Sequence, residues 1–155
     1  MLQNGTSMAI TELTALYLRD LRSLRKEIEA FTHEADLWRT LPGVTNSAGN
    51  LSLHLCGNLR HYIGHVLGGD HYVRERPREF AAKDLPQAYL LEEIGHTMAS
   101  VERTLAAAVA ASMHAPFPVQ VPVESNSTEH FLLHLYGHLS YHLGQINYLR
   151  RILQP

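Results

Sequence analysis

Towards the end of the sequence, the stretch GHLSYHLGQI from Gly137 to Ile146 holds two histidines four residues apart. On a helix this spacing sets His138 and His142 about one turn apart on one face, where two imidazoles can converge on one metal ion at about 2.0–2.1 Å per bond. The pair belongs to a ladder, His130, His134, His138 and His142. Each step of four turns about 400°, so the ladder drifts about 40° per step. Measured from His142, Phe131 and Leu149 lie about 20° to one side and Leu135 and Leu153 about 20° to the other. His142 is therefore central in an apolar stripe, His138 still lies within it, His134 sits at its edge and His130 is nearly outside. Imidazoles on a buried face need partners, because a buried polar group without one costs about 1–3 kcal/mol. A metal is one partner. Hydrogen bonds to Tyr, Ser or backbone are the other.

A further ligand would come from a different helix. His54, Asn58, His61 and His65 form a second polar stripe, at the edge of an apolar face beside Leu51 and Tyr62. If the two helices run antiparallel, rise arithmetic brings either His54 or His61 level with His138 and His142, and geometry leaves both open. Cys56 points about 200° away from His54 around the helix, which makes it a small core residue and a poor ligand. Between His138 and His142 the chain reads Leu-Ser-Tyr, with no Glu after the first histidine, so a zincin-type protease is not expected. His33, His71, His96 and His114 fall on loops or polar faces and read as solvated surface. Asn58 is one turn past His54 and Gln145 three residues past His142; each is placed for contact with a metal-bound water or a substrate, or for an interhelical hydrogen bond. Arg60, Arg74, Arg76 and Arg78 are candidates to bind a carboxylate through two parallel bonds, or to pair with Glu75 and Glu79.

The apolar period predicts four helices to carry these residues. The first runs from about Ser7 to His33, the second from about Ser47 to Leu67, ended by Gly68-Gly69. The third starts near Pro86, with Asp84 and Gln87 as a capping box, and the fourth near Ser127, with Asn126 and Glu129 as caps. PFPVQVPV, from Pro116 to Val123, alternates like a strand, but three prolines reduce it to an extended connector. Gly57, Gly64, Gly137 and Gly144 stand inside helices, where glycine costs about 1 kcal/mol against alanine, so close helix approach or space at a site is expected there. The predicted fold is all-α, a four-helix bundle. The connection GGDHYVRERPREFAAKDL far exceeds the two to eight residues typical of a bundle hairpin and can travel the length of a neighbouring helix. A crossover between the second and third helices, giving up-down-down-up order, is the expected topology.

Composition narrows the function. The 155 residues are expected to form a single domain, 1–155, and they are 45% hydrophobic and 18% charged. A net charge of −2 predicts no nucleic-acid partner. No apolar run approaches the roughly 20 residues that cross a bilayer, and no charged start precedes an apolar run, so no membrane association and a cytoplasmic location are expected. With Cys56 the only cysteine, no intrachain disulfide forms.

Three segments carry a family likeness that spans nearly the whole chain. NSAGNLSLHLCGNLRHYIGHVLGG resembles the second-helix motif of the DinB/YfiT-like superfamily of metal-binding four-helix bundles. YVRERPREF resembles the segment after that helix in the uncharacterised DinB-like branch, and GHLSYHLGQI is similar to the fourth-helix signature. The resemblance places metal ligands at His54, His138 and His142, which resolves the choice between His54 and His61. It implies one divalent ion, nickel, zinc or iron, in the bundle interior and open to solvent on one side. Three histidines leave a fourth position free, as catalytic sites do. Characterised relatives use low-molecular-weight thiols such as bacillithiol or mycothiol. The leading expectation is therefore a thiol transferase acting on a small-molecule substrate, with a homodimer implied by the same likeness. A metal-dependent hydrolase, in which the ion activates water, and a non-enzymatic dimeric metal-binding or stress-response protein are the alternatives. Asn58, Gln145, Tyr141 and His61 remain candidates to support the ion or touch substrate; Tyr141 stands where many relatives carry a further histidine.

Overall fold

The computed structural model of the chain describes residues 8–125 and 127–155. The predicted helix start at Ser7 and the predicted cap at Asn126 lie outside the described residues. Among the described residues every regular element is helical and there is no strand. Helix α1 (Met8–Glu29) buries Leu13, Tyr17, Leu21, Leu24 and Ile28, the three- and four-residue spacing that faces one stripe inward. A 3-10 turn, Glu34–Trp38, follows and buries Leu37, while the Trp38 indole N–H donates to the carbonyl of Leu85 at 3.1 Å.

Helix α2 (Ala48–Leu59) starts where predicted: the Ser47 hydroxyl accepts from the backbone N–H of Asn50. Every residue of α2 is buried, so it is the central helix. Arg60–Leu67 continues it in wider π-type turns, with the Gly68 N–H reaching the Ile63 carbonyl at 2.9 Å. Gly69 then ends the run with φ +70, a conformation that carries no steric cost for glycine.

The long connection is not plain extended chain, because it holds a short helix, α3 (Arg76–Ala81), packed on α2. Helix α4 (Gln87–Ala106) begins as expected, but the predicted capping box does not form. Pro86 occupies the cap position without a side-chain bond, and Asp84 adopts φ 56. Tertiary partners replace it: Glu34 accepts from the Gln87 backbone N–H at 2.9 Å, and the Gln87 side chain donates to the carbonyls of Ile28, in the last turn of α1, and Phe31, just after it. A second short helix, α5 (Ala110–His114), precedes the proline-rich connector, whose Phe117, Val121 and Val123 pack on the core. Helix α6 (Thr128–Leu153) is capped by Ser127, which accepts from the His130 N–H; Glu129 instead faces His114 at 4.0 Å.

Helices α1 and α2 each pack against both α4 and α6. Tyr17 fixes α1 to α6 through a hydrogen bond from its hydroxyl to the Leu132 carbonyl at 2.5 Å. Placing α2 beside α6 brings the two histidine stripes together. Among the described residues no helix is long and apolar enough to cross a membrane.

The Gln87 side chain closes two carbonyls at the end of α1, so Gln87→Ala is expected to cost about 1–2 kcal/mol of stability. Urea unfolding with an unchanged m-value checks this; an unaltered midpoint would mean that water serves those carbonyls equally well.

Candidate metal centre

His54, on α2, is buried, and its Nδ1 lies 2.9 Å from Glu79 Oε2. A carboxylate can only accept, so Nδ1 carries the proton and the Nε2 lone pair is free. That Nε2 lies 3.1 Å from Nε2 of His138 on α6. His142, one turn further along α6, donates from Nδ1 to Gln145 Oε1 at 2.6 Å, which also frees its Nε2. The three rings stand at 5.0, 5.4 and 4.5 Å between centroids, each pair close to perpendicular. One ring nitrogen from each residue lies within 4.8 Å of those of the other two, so the group can hold a metal ion.

The electrostatics favour neutral rings. Burial, helped by His142 and His54, pushes His138 down to about 3. Burial also lowers His142; the Gln145 hydrogen bond acts in the opposite direction and the nearness of His54 adds to the lowering. At neutral pH both residues therefore offer lone pairs rather than protons. Nδ1 of His138 is buried with no hydrogen-bond partner, so this ring alone has no anchor behind it.

Glu79 comes from α3. Burial alone would raise its pKa, but hydrogen bonds from His54 and Arg74, together with the Arg74 charge, hold it below the usual carboxylate range. Arg74 grips it through two bonds, Nε to Oε1 at 2.7 Å and Nη2 to Oε2 at 3.0 Å. The Arg74 guanidinium also comes to 3.4 Å from His54 Nδ1, so carboxylate, guanidinium and imidazole form one cluster. Asn50 ties α3 to α2 by donating to the carbonyls of Glu79 and Ala82 at 3.0 and 2.8 Å. The Glu79 side chain fills the space that a Cβ on residue 57 would need, which explains the glycine there. Gly64 is crowded in the same way by Ser100 and Asp70. Gly137 and Gly144 are different: nothing lies within 4 Å of a Cβ on either, so close approach within the chain does not explain them.

The remaining candidates separate. Asn58 is buried with its Oδ1 unpaired, and lines a cavity of about 350 Å³ beside His54 and His138. Gln145 is exposed yet bonded to His142. Tyr141 is 66% exposed and touches His142 only edge-on, with 5.2 Å between the rings. His61 stacks on His65 at 6.0 Å and lies outside the three-histidine group. Cys56 is buried, and burial pushes its thiol up to about 12, as a core residue requires. Arg60 pairs with Glu93 at 3.0 Å, whereas Arg76 lies over the Phe80 ring at 5.2 Å. His33, His71, His96 and His114 are exposed. Sequence reasoning missed Glu79 as the partner of His54, reading it only as an ion-pair partner for arginine. The available signals were its place in YVRERPREF and the costly glycine at position 57.

A family model described as mycothiol-S-transferase matches residues 12–155. No curated protein and no solved structure matches the chain.

Glu79→Gln keeps the side-chain size and removes the anion behind His54. It is expected to weaken zinc binding about 10–100-fold in a chelator-competition titration, with helix content unchanged by circular dichroism. Equal affinity in the variant would remove Glu79 from the site.

Proposed function

This chain belongs to the mycothiol-S-transferase family, a member of the DinB/YfiT-like superfamily, and from that premise we propose that it transfers a low-molecular-weight thiol to a small electrophile. In this reading one divalent ion is held by His54, His138 and His142. The observation that carries it is the approach of three ring nitrogens, one from each histidine, within 4.8 Å of one another. The residues fit such an ion in three respects. Two of the rings are kept neutral by burial, His54 is oriented by an anionic carboxylate, and the 3.1 Å approach of two Nε2 atoms requires a cation or a proton between them. Nickel, zinc and iron all suit three imidazoles.

When bound, the ion supplies a site that keeps a thiol sulfur as thiolate near neutral pH. The chain's own residues do the rest. Glu79 holds the proton on His54 Nδ1 and so keeps Nε2 aimed inward. Arg74 neutralises Glu79 and keeps that carboxylate out of the cavity. Gln145 sets His142 in the matching tautomer. In the transfer, the sulfur electron pair forms the carbon–sulfur bond, the leaving group departs with its own bonding pair, and the thiol proton passes to solvent.

The wider reading follows the same family. We take residues 1–155 as one domain, with α1, α2, α4 and α6 as an up-down-down-up bundle and the segment between α2 and α4 as its crossover. A homodimer is supported by a second stripe on the open side of α6, where Gly137, Tyr141, Gly144, Tyr148 and Ile152 recur at three- and four-residue steps. A reducing cytoplasm suits chemistry that depends on a free thiol.

Protein loaded with zinc, nickel or iron and given mycothiol and 1-chloro-2,4-dinitrobenzene is expected to consume thiol and release chloride faster than metal-free protein. His142→Ala should lose both the ion, about one per chain in the parent, and the activity, while His61→Ala keeps both. Full activity in metal-free protein or in His142→Ala would overturn the proposal.

A further inference from the structure

The cavity beside the histidines has a composition that selects its ligand. Its volume of about 350 Å³ lies at the small end of the range for organic ligands. Among the described residues lining it there is no Asp or Glu, although the chain as a whole carries a net charge of −2. Two arginines line it, and they differ. Arg74 is committed to Glu79, whereas Arg76 is exposed, has no ion pair among the described residues and lies over Phe80. Tyr62 and Phe131 form an aromatic wall, their rings edge to face at 5.0 Å. Asn58 also lines it, but its Oδ1 is buried away from the open space and supplies no acceptor there.

These features make two separate demands. Arg76 asks for an anion, and a carboxylate matches a guanidinium with two parallel bonds. The aromatic wall asks for a flat apolar body. We propose that the electrophile receiving the thiol is a small carboxylic acid with a flat apolar body, its carboxylate on Arg76 and its body against Tyr62 and Phe131. This assignment rests on the transferase reading only in calling the ligand an electrophile; the ligand's chemistry follows from the cavity itself. Bound there, the molecule lies against His54 and His138 and next to the point where the sulfur is held.

The test is calorimetric titration of the zinc-loaded protein with benzoate and with acetophenone as a neutral molecule of similar shape. Benzoate is expected to bind about tenfold or more tighter than acetophenone, as a charge-assisted bond gives. Arg76→Gln should abolish that preference and Arg76→Lys should keep most of it. The preference for benzoate should persist in metal-free protein, which excludes a carboxylate sitting on zinc, and saturating mycothiol should leave the benzoate affinity unchanged. Equal binding of benzoate and acetophenone, no binding of either, a preference that survives Arg76→Gln, or one that vanishes without zinc overturns the carboxylate assignment. Competition with mycothiol would give the cavity to the thiol's own body and overturn the assignment to the electrophile. None of the titrations requires turnover, so a failure of thiol transfer is read separately in the chloride-release assay.

Discussion

The hydrogen bond from His54 Nδ1 to Glu79 is the interaction on which the histidine cluster depends. It is short, it is buried at both ends, and its acceptor is an anion. A neutral imidazole has one N–H and one lone pair, so fixing the proton on Nδ1 fixes the lone pair on Nε2. A ring free to flip would present either nitrogen, or a carbon, to the centre. An anion behind a ligand also raises its basicity, which matters when three neutral groups must hold a divalent cation without charge of their own. A buried carboxylate with only an imidazole beside it would be costly to desolvate. The two bonds from Arg74 meet that cost, and the resulting imidazole–carboxylate–guanidinium cluster keeps the carboxylate behind the ring and away from the centre.

Much of the architecture between α2 and α4 serves to bring Glu79 to that place. The connection supplies α3, Asn50 holds α3 to α2 through two backbone carbonyls, and Gly57 leaves room for the carboxylate. The position of the glycine makes physical sense only with this partner. A β-carbon at residue 57 would force the carboxylate away from His54, so a helix-weakening residue in the middle of the central helix is retained for its lack of a side chain. On the other side, α6 contributes two histidines that differ in support. His142 is set by Gln145, while among the described residues His138 has only His54 as a hydrogen-bond partner, through Nε2, and has its Nδ1 buried without a partner.

The helical nature of the chain, the elements bearing the histidines and the buried character of Cys56 could be read in the sequence, because an apolar stripe of helical period survives whatever the tertiary context. The His138–His142 pair followed from the same arithmetic. His54 did not: two histidines on one stripe satisfied the same rise, and only the family likeness preferred one. His61 in fact lies in the wider turns beginning at Arg60, where a fixed angle per residue no longer describes the backbone. Glu79 was out of reach because its partner is 25 residues away and its helix is embedded in a connection that reads as extended chain. The cap of α4 failed for a related reason. Local spacing favoured Asp84, but a carboxylate from Glu34 and the fixed backbone of Pro86 supplied another solution.

X-ray absorption of the zinc-loaded protein, before and after addition of mycothiol, tests the central claim most directly. The account predicts three imidazole nitrogens at about 2.0–2.1 Å, with the remaining shell changing from light atoms to one sulfur at about 2.3 Å when the thiol is added. A first shell with fewer than three imidazoles, or one that gains no sulfur with mycothiol in excess, would contradict it.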